Sequence, residues 1–234
     1  MRRHFLLIHG GSHGSWCWQA LKRELESRGA TVSAEDLPGH GADPTPRQTV
    51  NRDSYLSAVR AEIESIDCHD LTLVGHSLAG ILLPELADQY AARLKEVVFL
   101  AALVCKPGQR AIDLFPQERQ QTYLDLAEAS DDYSVILPFE KARSVFFNDL
   151  TVDQAHRAYE KLTPQPLKVY FDPIPVSVPG CPTRYLICQR DQCLTREWCL
   201  EWAARLGVEP DFIDSGHDVM LSHPSELADQ LMNG

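Results

Sequence analysis

Ser77, Asp191 and His217 follow one another along the chain, each where a short apolar run gives way to a polar or glycine-containing loop. A serine hydroxyl is a weak nucleophile until an imidazole accepts its proton. A carboxylate on the far ring nitrogen then fixes the tautomer and stabilises the imidazolium. The serine lies in Leu71-Thr-Leu-Val-Gly-His-Ser-Leu-Ala-Gly80, ahead of a helix-compatible stretch from Leu78 to Tyr90. A strand that turns sharply into a helix lifts one hydroxyl clear of a sheet and demands small side chains two residues before and after it. Gly75 and Ala79 hold those positions, and His76 packs and hydrogen-bonds within the turn. The usual pattern has glycine at both, so Ala79 adds a methyl group that Gly80 helps to accommodate. The competing reading of Ser77 is an exposed helix N-cap. The acid and histidine that follow in the order serine, acid, histidine favour the nucleophile.

Thr183-Arg-Tyr-Leu-Ile-Cys-Gln-Arg-Asp-Gln192 reads as a buried strand running into a loop that carries Asp191. Pro210-Asp-Phe-Ile-Asp-Ser-Gly-His217 reads as a last short strand and a loop presenting His217. Loops at the C-terminal ends of parallel strands face one crevice, where the three side chains can converge. Asp214 and Asp218 are rival acids, but Asp214 is expected within the strand and Asp218 adjoins the histidine with poor geometry for reaching its ring.

Acyl transfer also needs donors for a developing oxyanion. His4-Phe-Leu-Leu-Ile-His-Gly-Gly-Ser-His-Gly-Ser-Trp-Cys-Trp18 is an apolar strand breaking into a glycine-rich loop. The backbone N–H of Gly11 and that of Leu78, directly after the serine, are the candidate donors. A phosphate-binding loop is the rival here, but the Gly-x-Gly-x-x-Gly spacing and a Walker lysine are missing, and Trp16 and Trp18 crowd the space. Among the other histidines, His40 sits in a turn explained by its own glycines and proline, and His223 before Pro224 suits a cap or the surface. His4, His69 and His156 have no motif context.

Strand patterns at Phe5 to Ile8, Thr31 to Ala34, Leu71 to Val74, Val97 to Leu100, Arg184 to Cys188 and Asp211 to Ile213 alternate with helical ones, which predicts α/β layering on a largely parallel sheet. The alternation breaks between about 105 and 182, with helical stretches near Pro116 to Ala129, Phe139 to Phe147 and Thr151 to Lys161. That interval reads as a lid inserted into a single domain, 1–234, whose core is 1–104 and 183–234. The return, Asp172-Pro-Ile-Pro-Val-Ser-Val-Pro179, has the rigid extended character of a tether. Phe115, Tyr123, Phe139, Phe146, Phe147, Tyr159 and Phe171 are available to line an acyl pocket or to pack the lid.

A net charge of −11 without a basic cluster argues against nucleic acid and anionic membranes as partners. Met1-Arg-Arg-His4 is basic, but the apolar run behind it is too short for a signal peptide or a membrane span, so a cytoplasmic protein is expected, monomeric or homodimeric. Seven cysteines form an odd set, read as reduced thiols. Cys188, Cys193 and Cys199 lack a Cys-x-x-Cys pair, so no metal and no cofactor are expected. Cys17 is expected near the mouth of the site, within reach of thiol reagents.

His9-Gly-x-x-His-Gly-x-Trp16, Asp36-Leu37, Val74-Gly-His-Ser-Leu78, Val98-Phe-Leu-Ala-Ala102 and Phe146-Phe147 resemble the α/β-hydrolases, specifically the branch of plant methylesterases, hydroxynitrile lyases and bacterial esterase relatives. The similarity runs from His4 to about Leu231 and is weakest in the lid. It implies an α/β-hydrolase fold with Ser77, Asp191 and His217 as a catalytic triad. The family usually begins with two further antiparallel strands. This chain starts almost at the first parallel one, so about six strands are expected. Lyase members carry a lysine after the catalytic histidine and a threonine in the first-strand loop, where this chain has Asp218 and Gly10. The expectation is therefore a serine hydrolase for a small, fairly apolar ester, thioester or lactone, working through an acyl-enzyme on Ser77. An acyl-transfer cyclase or lactonising enzyme, a carbon–carbon lyase and a hydrolase-fold small-molecule receptor are the alternatives.

Overall fold

The computed structural model describes residues 3–175 and 178–234. Met1 and Arg2 of the basic N-terminal segment and Val176 and Ser177 of the proline-rich return lie outside the described residues. In chain order the elements begin β1 (His4–Ile8), α1 (Gln19–Ser27), β2 (Thr31–Ser33), α2 (Arg52–Ser65), β3 (Leu71–His76), α3 (Leu83–Tyr90) and β4 (Leu94–Leu100). Next come α4 (Gln117–Glu128), β5 (Ser134–Val135), α5 (Phe139–Val145), α6 (Val152–Tyr159) and β6 (Gln165–Pro166). The chain ends with β7 (Thr183–Cys188), α7 (Arg196–Leu206), β8 (Asp211–Ile213), α8 (Val219–Ser222) and α9 (Pro224–Met232).

Six strands pair in the order β2-β1-β3-β4-β7-β8, every pair parallel. Side chains alternate across a strand, and both faces of this sheet are covered, so its strands read as continuous apolar runs. Phe5, Leu7, Val74, Val98 and Leu186 face a core built with Leu21 and Leu25 of α1 and Leu227 and Leu231 of α9. Leu6, Ile8, Leu73, Val97, Phe99 and Ile187 face the other, with Leu56 and Ile63 of α2, Leu86 of α3 and Trp202 of α7. The chain passes from β1 outward to β2 and then returns to β3 on the far side of β1. That reversal opens a crevice beyond the C-terminal ends of β1 and β3.

All six expected strands form, and the differences lie at their ends. β3 continues through His76, which pairs with Leu100, and β4 starts at Leu94, which pairs with Leu71. The expected helix from Leu78 to Tyr90 is two pieces: a 3-10 turn at Ser77–Ile81, then α3. Between β4 and β7 the chain leaves the sheet, and there β5 and β6 form a small antiparallel pair that the sequence does not signal.

Crowding around the turn after β3 sorts the small residues. A Cβ on Gly75 would lie 2.8 Å from Leu83 Cδ1. The tightest approach is at Gly80 rather than Ala79: a Cβ on Gly80 would overlap the Leu103 carbonyl oxygen, and Ala79 is accommodated with 2% exposure. Backbone cannot yield as a flexible side chain can. Gly80→Ala is therefore expected to cost about 1–3 kcal/mol of unfolding free energy, the usual range for overpacking, read from urea denaturation.

Candidate active site

Ser77 follows directly on β3 with φ +53°, a left-handed conformation that is uncommon outside glycine and that aims its hydroxyl out of the sheet. Its Oγ is 3.0 Å from His217 Nε2, in the loop after β8. His217 Nδ1 donates to Asp191 Oδ2 at 2.6 Å, from the loop after β7. The other oxygen, Asp191 Oδ1, accepts from the backbone N–H groups of Cys193 (2.6 Å) and Leu194 (2.9 Å), so the carboxylate cannot rotate away. Three residues far apart in sequence thus form one hydrogen-bonded chain at the C-terminal ends of β3, β7 and β8.

The rival acids are engaged elsewhere. Asp214 lies just past β8, not inside it as expected, and its exposed carboxylate pairs with Arg190 at 3.0 Å. Asp218 is fully buried and accepts from His13 Nε2 at 2.8 Å. This second histidine–carboxylate pair has no signal in the local sequence, because its members are 205 positions apart. His13 Nδ1 donates to the Gly11 carbonyl at 2.8 Å, and the N–H of Ser12 in the same peptide donates to Gln165 Oε1 at 3.2 Å. That peptide is pinned at both ends. Among the described residues the Gly11 N–H makes no hydrogen bond, and the Leu78 N–H lies in the first turn of a helix, where donors lack intrahelical partners. Gly11, Leu78 and Ser77 border one cavity.

That cavity holds about 450 Å³ of empty space, its mouth included. Of the seven aromatics named from sequence, Phe115, Tyr123 and Phe146 line it, and Phe139, Phe147, Tyr159 and Phe171 do not. Tyr170, Arg119 and Cys193 line it as well, without having been anticipated. Cys17 is the opposite case: it is fully buried between sheet and helices beside Trp18 and Leu21, not at the mouth, because the loop turns its side chain inward. Gly10 lies against Ser77, where a Cβ would be 2.8 Å from Ser77 Cβ.

Charge is unevenly spread over the five histidines at this end of the sheet. Burial opposes a charge on His217, but the Asp191 carboxylate and Cys193 beside it hold its pKa well above the ordinary imidazole value. His13 is raised in the same way: burial works against it and Asp218 prevails. His76 lies between them with Nε2 3.1 Å from the His217 carbonyl, and burial with two cationic neighbours keeps it well below the usual value. His9, which accepts from Leu37 N–H at 3.0 Å, is pushed down to about 4 by burial. His40, read from sequence as part of a turn, is buried between Tyr55 OH (2.6 Å) and Thr163 Oγ1 (2.8 Å), and burial pushes it well down too. His76, His217 and Asp218 bring potential metal-ligand atoms within 4.8 Å of one another. His217 is already committed to Ser77 and Asp191, and Asp218 to His13, which makes this a proton-holding network rather than a vacant coordination shell.

Imidazole NMR should therefore show His217 and His13 titrating above the ordinary range and His9 near 4, with Asp191→Asn bringing His217 down. The unfolded chain binds a proton at His9 near 6.5 that the folded chain refuses until about 4, so this group's contribution to stability is lost as pH falls through that window.

Residues 5–230 match the model of the alpha/beta hydrolase family. The carbendazim hydrolyzing esterase of Nocardioides sp. (strain SG-4G) is 26% identical over 238 residues, which cover 97% of each chain. An alpha-hydroxynitrile lyase of Arabidopsis thaliana is 38% identical over 105 residues, a stretch that spans 44% of this chain and 41% of that protein. Among solved structures, an extracellular alpha/beta-hydrolase from a Paenibacillus species superposes with a TM-score of 0.91 at 26% identity over 98% of both chains. That protein is described as sharing structural and functional homology with tobacco salicylic acid binding protein 2. A six-stranded parallel sheet, a serine raised on the turn after its third strand and a family match over nearly the whole length lead to one conclusion: this chain belongs to the alpha/beta hydrolase family.

Proposed function

We propose that the protein is a carboxylic ester hydrolase that forms an acyl-enzyme on Ser77, with His217 as general base and Asp191 as its orienting acid. The observation that carries this reading is His217 bridging the Ser77 hydroxyl and the Asp191 carboxylate, with Ser77 itself in the left-handed conformation. As Ser77 Oγ attacks the ester carbonyl, its proton passes to His217 Nε2 and the imidazolium is stabilised by Asp191. The carbonyl oxygen becomes an oxyanion that the Gly11 and Leu78 N–H groups are placed to receive. His217 then returns the proton to the leaving alcohol, and water repeats the cycle from the same side to release the acid. The segment from about 105 to 182 serves as the lid over the pocket, within one domain. The substrate is small, with an acyl chain that is apolar along most of its length, since Leu78, Leu103, Val135 and Leu137 border the cavity. The esterase names among the relatives support the same reading.

The lyase alternative is weakened by two features. The position directly after His217 holds Asp218, whose buried carboxylate pairs with His13 and offers no cation to cyanide, and Gly10 abuts Ser77 too closely for a larger residue. Cyanide release from mandelonitrile, measured beside ester hydrolysis, separates the two reactions.

A fluorophosphonate probe is expected to label wild-type protein at Ser77 and leave Ser77→Ala unlabelled in intact-mass spectra. Absence of labelling would overturn the mechanism. The base must be deprotonated to act, and its pKa is raised. The rate with short p-nitrophenyl esters should therefore climb with pH through a value above that of an ordinary histidine. Asp191→Asn should move that limb down and reduce kcat by orders of magnitude, as loss of the orienting carboxylate does in serine hydrolases.

A further inference from the structure

Arg119, in the first turns of α4, reaches the cavity that contains Ser77. Its guanidinium lies over the Phe115 ring, Cζ 3.9 Å from the centroid. Nη1 donates to the Cys193 carbonyl at 2.9 Å, and Nε and Nη2 donate to the Tyr123 hydroxyl at 3.3 and 3.0 Å. Nη2 also lies 3.4 Å from Cys193 Sγ. Among the described residues no carboxylate pairs with it, and its polar partners are the carbonyl and thiol of Cys193 and the hydroxyl of Tyr123. Arg52, which is buried, has Glu85 at 2.6 Å. A half-buried cation beside aromatic rings, with a thiol and a phenol as its only side-chain partners among the described residues, is left without a carboxylate to offset its charge. A guanidinium has five N–H groups, and these contacts use four, leaving one on Nη1. The Tyr123 hydroxyl accepts from Arg119, so its own hydrogen is free to donate. Burial raises the Tyr123 pKa, which keeps that hydrogen in place.

We propose that Arg119 and Tyr123 form an anion anchor, and that the preferred substrate is an ester bearing a carboxylate a few atoms from the scissile carbonyl, such as a half-ester of a short dicarboxylic acid. This rests on the ester-hydrolase reading of Ser77. One guanidinium hydrogen and one phenolic hydrogen offer two donors to the two oxygens of a carboxylate. A protein of net charge −11 repels anions at long range, so retention of such a substrate falls to a local cation. Leu78, Leu103 and Leu137, which line the same cavity as Ser77 and Arg119, suit the methylenes that separate the two ends.

The test compares kcat/KM for monomethyl succinate, glutarate and adipate with that for neutral methyl esters of matched length, alongside acetoxyacetate, which carries its carboxylate on the alcohol side. Wild type, Arg119→Gln and Arg119→Lys are assayed. Wild type is expected to favour one anionic ester, on either side, by about tenfold or more. Arg119→Gln should cut that ratio by about tenfold or more, chiefly through KM, as loss of a charge-assisted hydrogen bond does, with part of it kept in Arg119→Lys. An arginine that only braces α4 would slow both ester classes equally and leave the ratio unchanged, which overturns the proposal. Glutarate binding to Ser77→Ala, with and without Arg119→Gln, is measured by calorimetry as a readout independent of turnover. Arg119-dependent binding without hydrolysis of any ester sinks the hydrolase reading and keeps the anchor. Brisk hydrolysis of neutral esters with no Arg119-dependent binding or preference keeps the hydrolase and sinks the anchor.

Discussion

The left-handed backbone at Ser77 is the constraint on which the rest of the site depends. Such a conformation costs on the order of 1–3 kcal/mol and persists only where its surroundings over-determine it. Here the Leu103 N–H holds the Ser77 carbonyl at 3.0 Å, Gly10 closes on the Ser77 side chain, and β3 is paired on both edges by β1 and β4. Full burial of one leucine or valine contributes about 1.5–3 kcal/mol. Leu73 and Val74, on opposite faces of β3 and both fully buried, are thus enough to balance the strain. The elbow is a small debit on a strand that is strongly held.

Electrostatics impose the next layer. Asp191–His217 and Asp218–His13 are two buried ion pairs set close together, and each imidazolium raises the cost of charging its neighbours. His76 lies between them, its ring centroid 4.6 Å from that of His217 and 6.2 Å from that of His13. A third cation there would have no carboxylate to offset it. The hydrogen bond from its Nε2 to the His217 carbonyl and the unpartnered Nδ1 together describe a neutral ring protonated on Nε2. The Asp218 pair does not contact Ser77, but it fixes the Gly11 peptide through His13, linking a buried charge to the loop that faces Ser77.

The sheet was legible in the sequence because burial on both faces turns each strand into an apolar run that stops at a loop. The approach of Ser77, Asp191 and His217 was legible for a related reason: each ends such a run, and parallel strands deliver their C-terminal loops to one edge. What was not legible depends on the directions of side chains in loops. Cys17 and Trp16 are neighbours, yet Cys17 is fully buried in the core while Trp16 stacks on His13 nearer the site. The tightest backbone approach fell at Gly80 instead of Ala79 because Leu103, more than twenty positions on, packs there. His13 and Asp218, and Arg119 and Cys193, are contacts across long sequence separations with no periodicity to announce them.

The segment between β4 and β7 does more than line the cavity. Asn148 Nδ2 donates to the Arg190 carbonyl at 2.9 Å, next to Asp191, and Asp149 accepts from the Gly216 N–H at 2.5 Å, next to His217. Arg119 holds the Cys193 carbonyl, in the turn whose N–H groups clamp Asp191. Gln165 meanwhile reaches the Ser12 N–H beside Gly11. Each loop that bears on Ser77 from the sheet is thus tied to a polar side chain of this segment. Residues that shape the pocket and residues that restrain Asp191, His217 and the Gly11 loop alternate along the same stretch of chain. A change there made to admit a different ligand therefore also shifts the supports of Asp191, His217 and Ser77, and pocket shape and the geometry of that hydrogen-bonded chain cannot be varied independently in this fold.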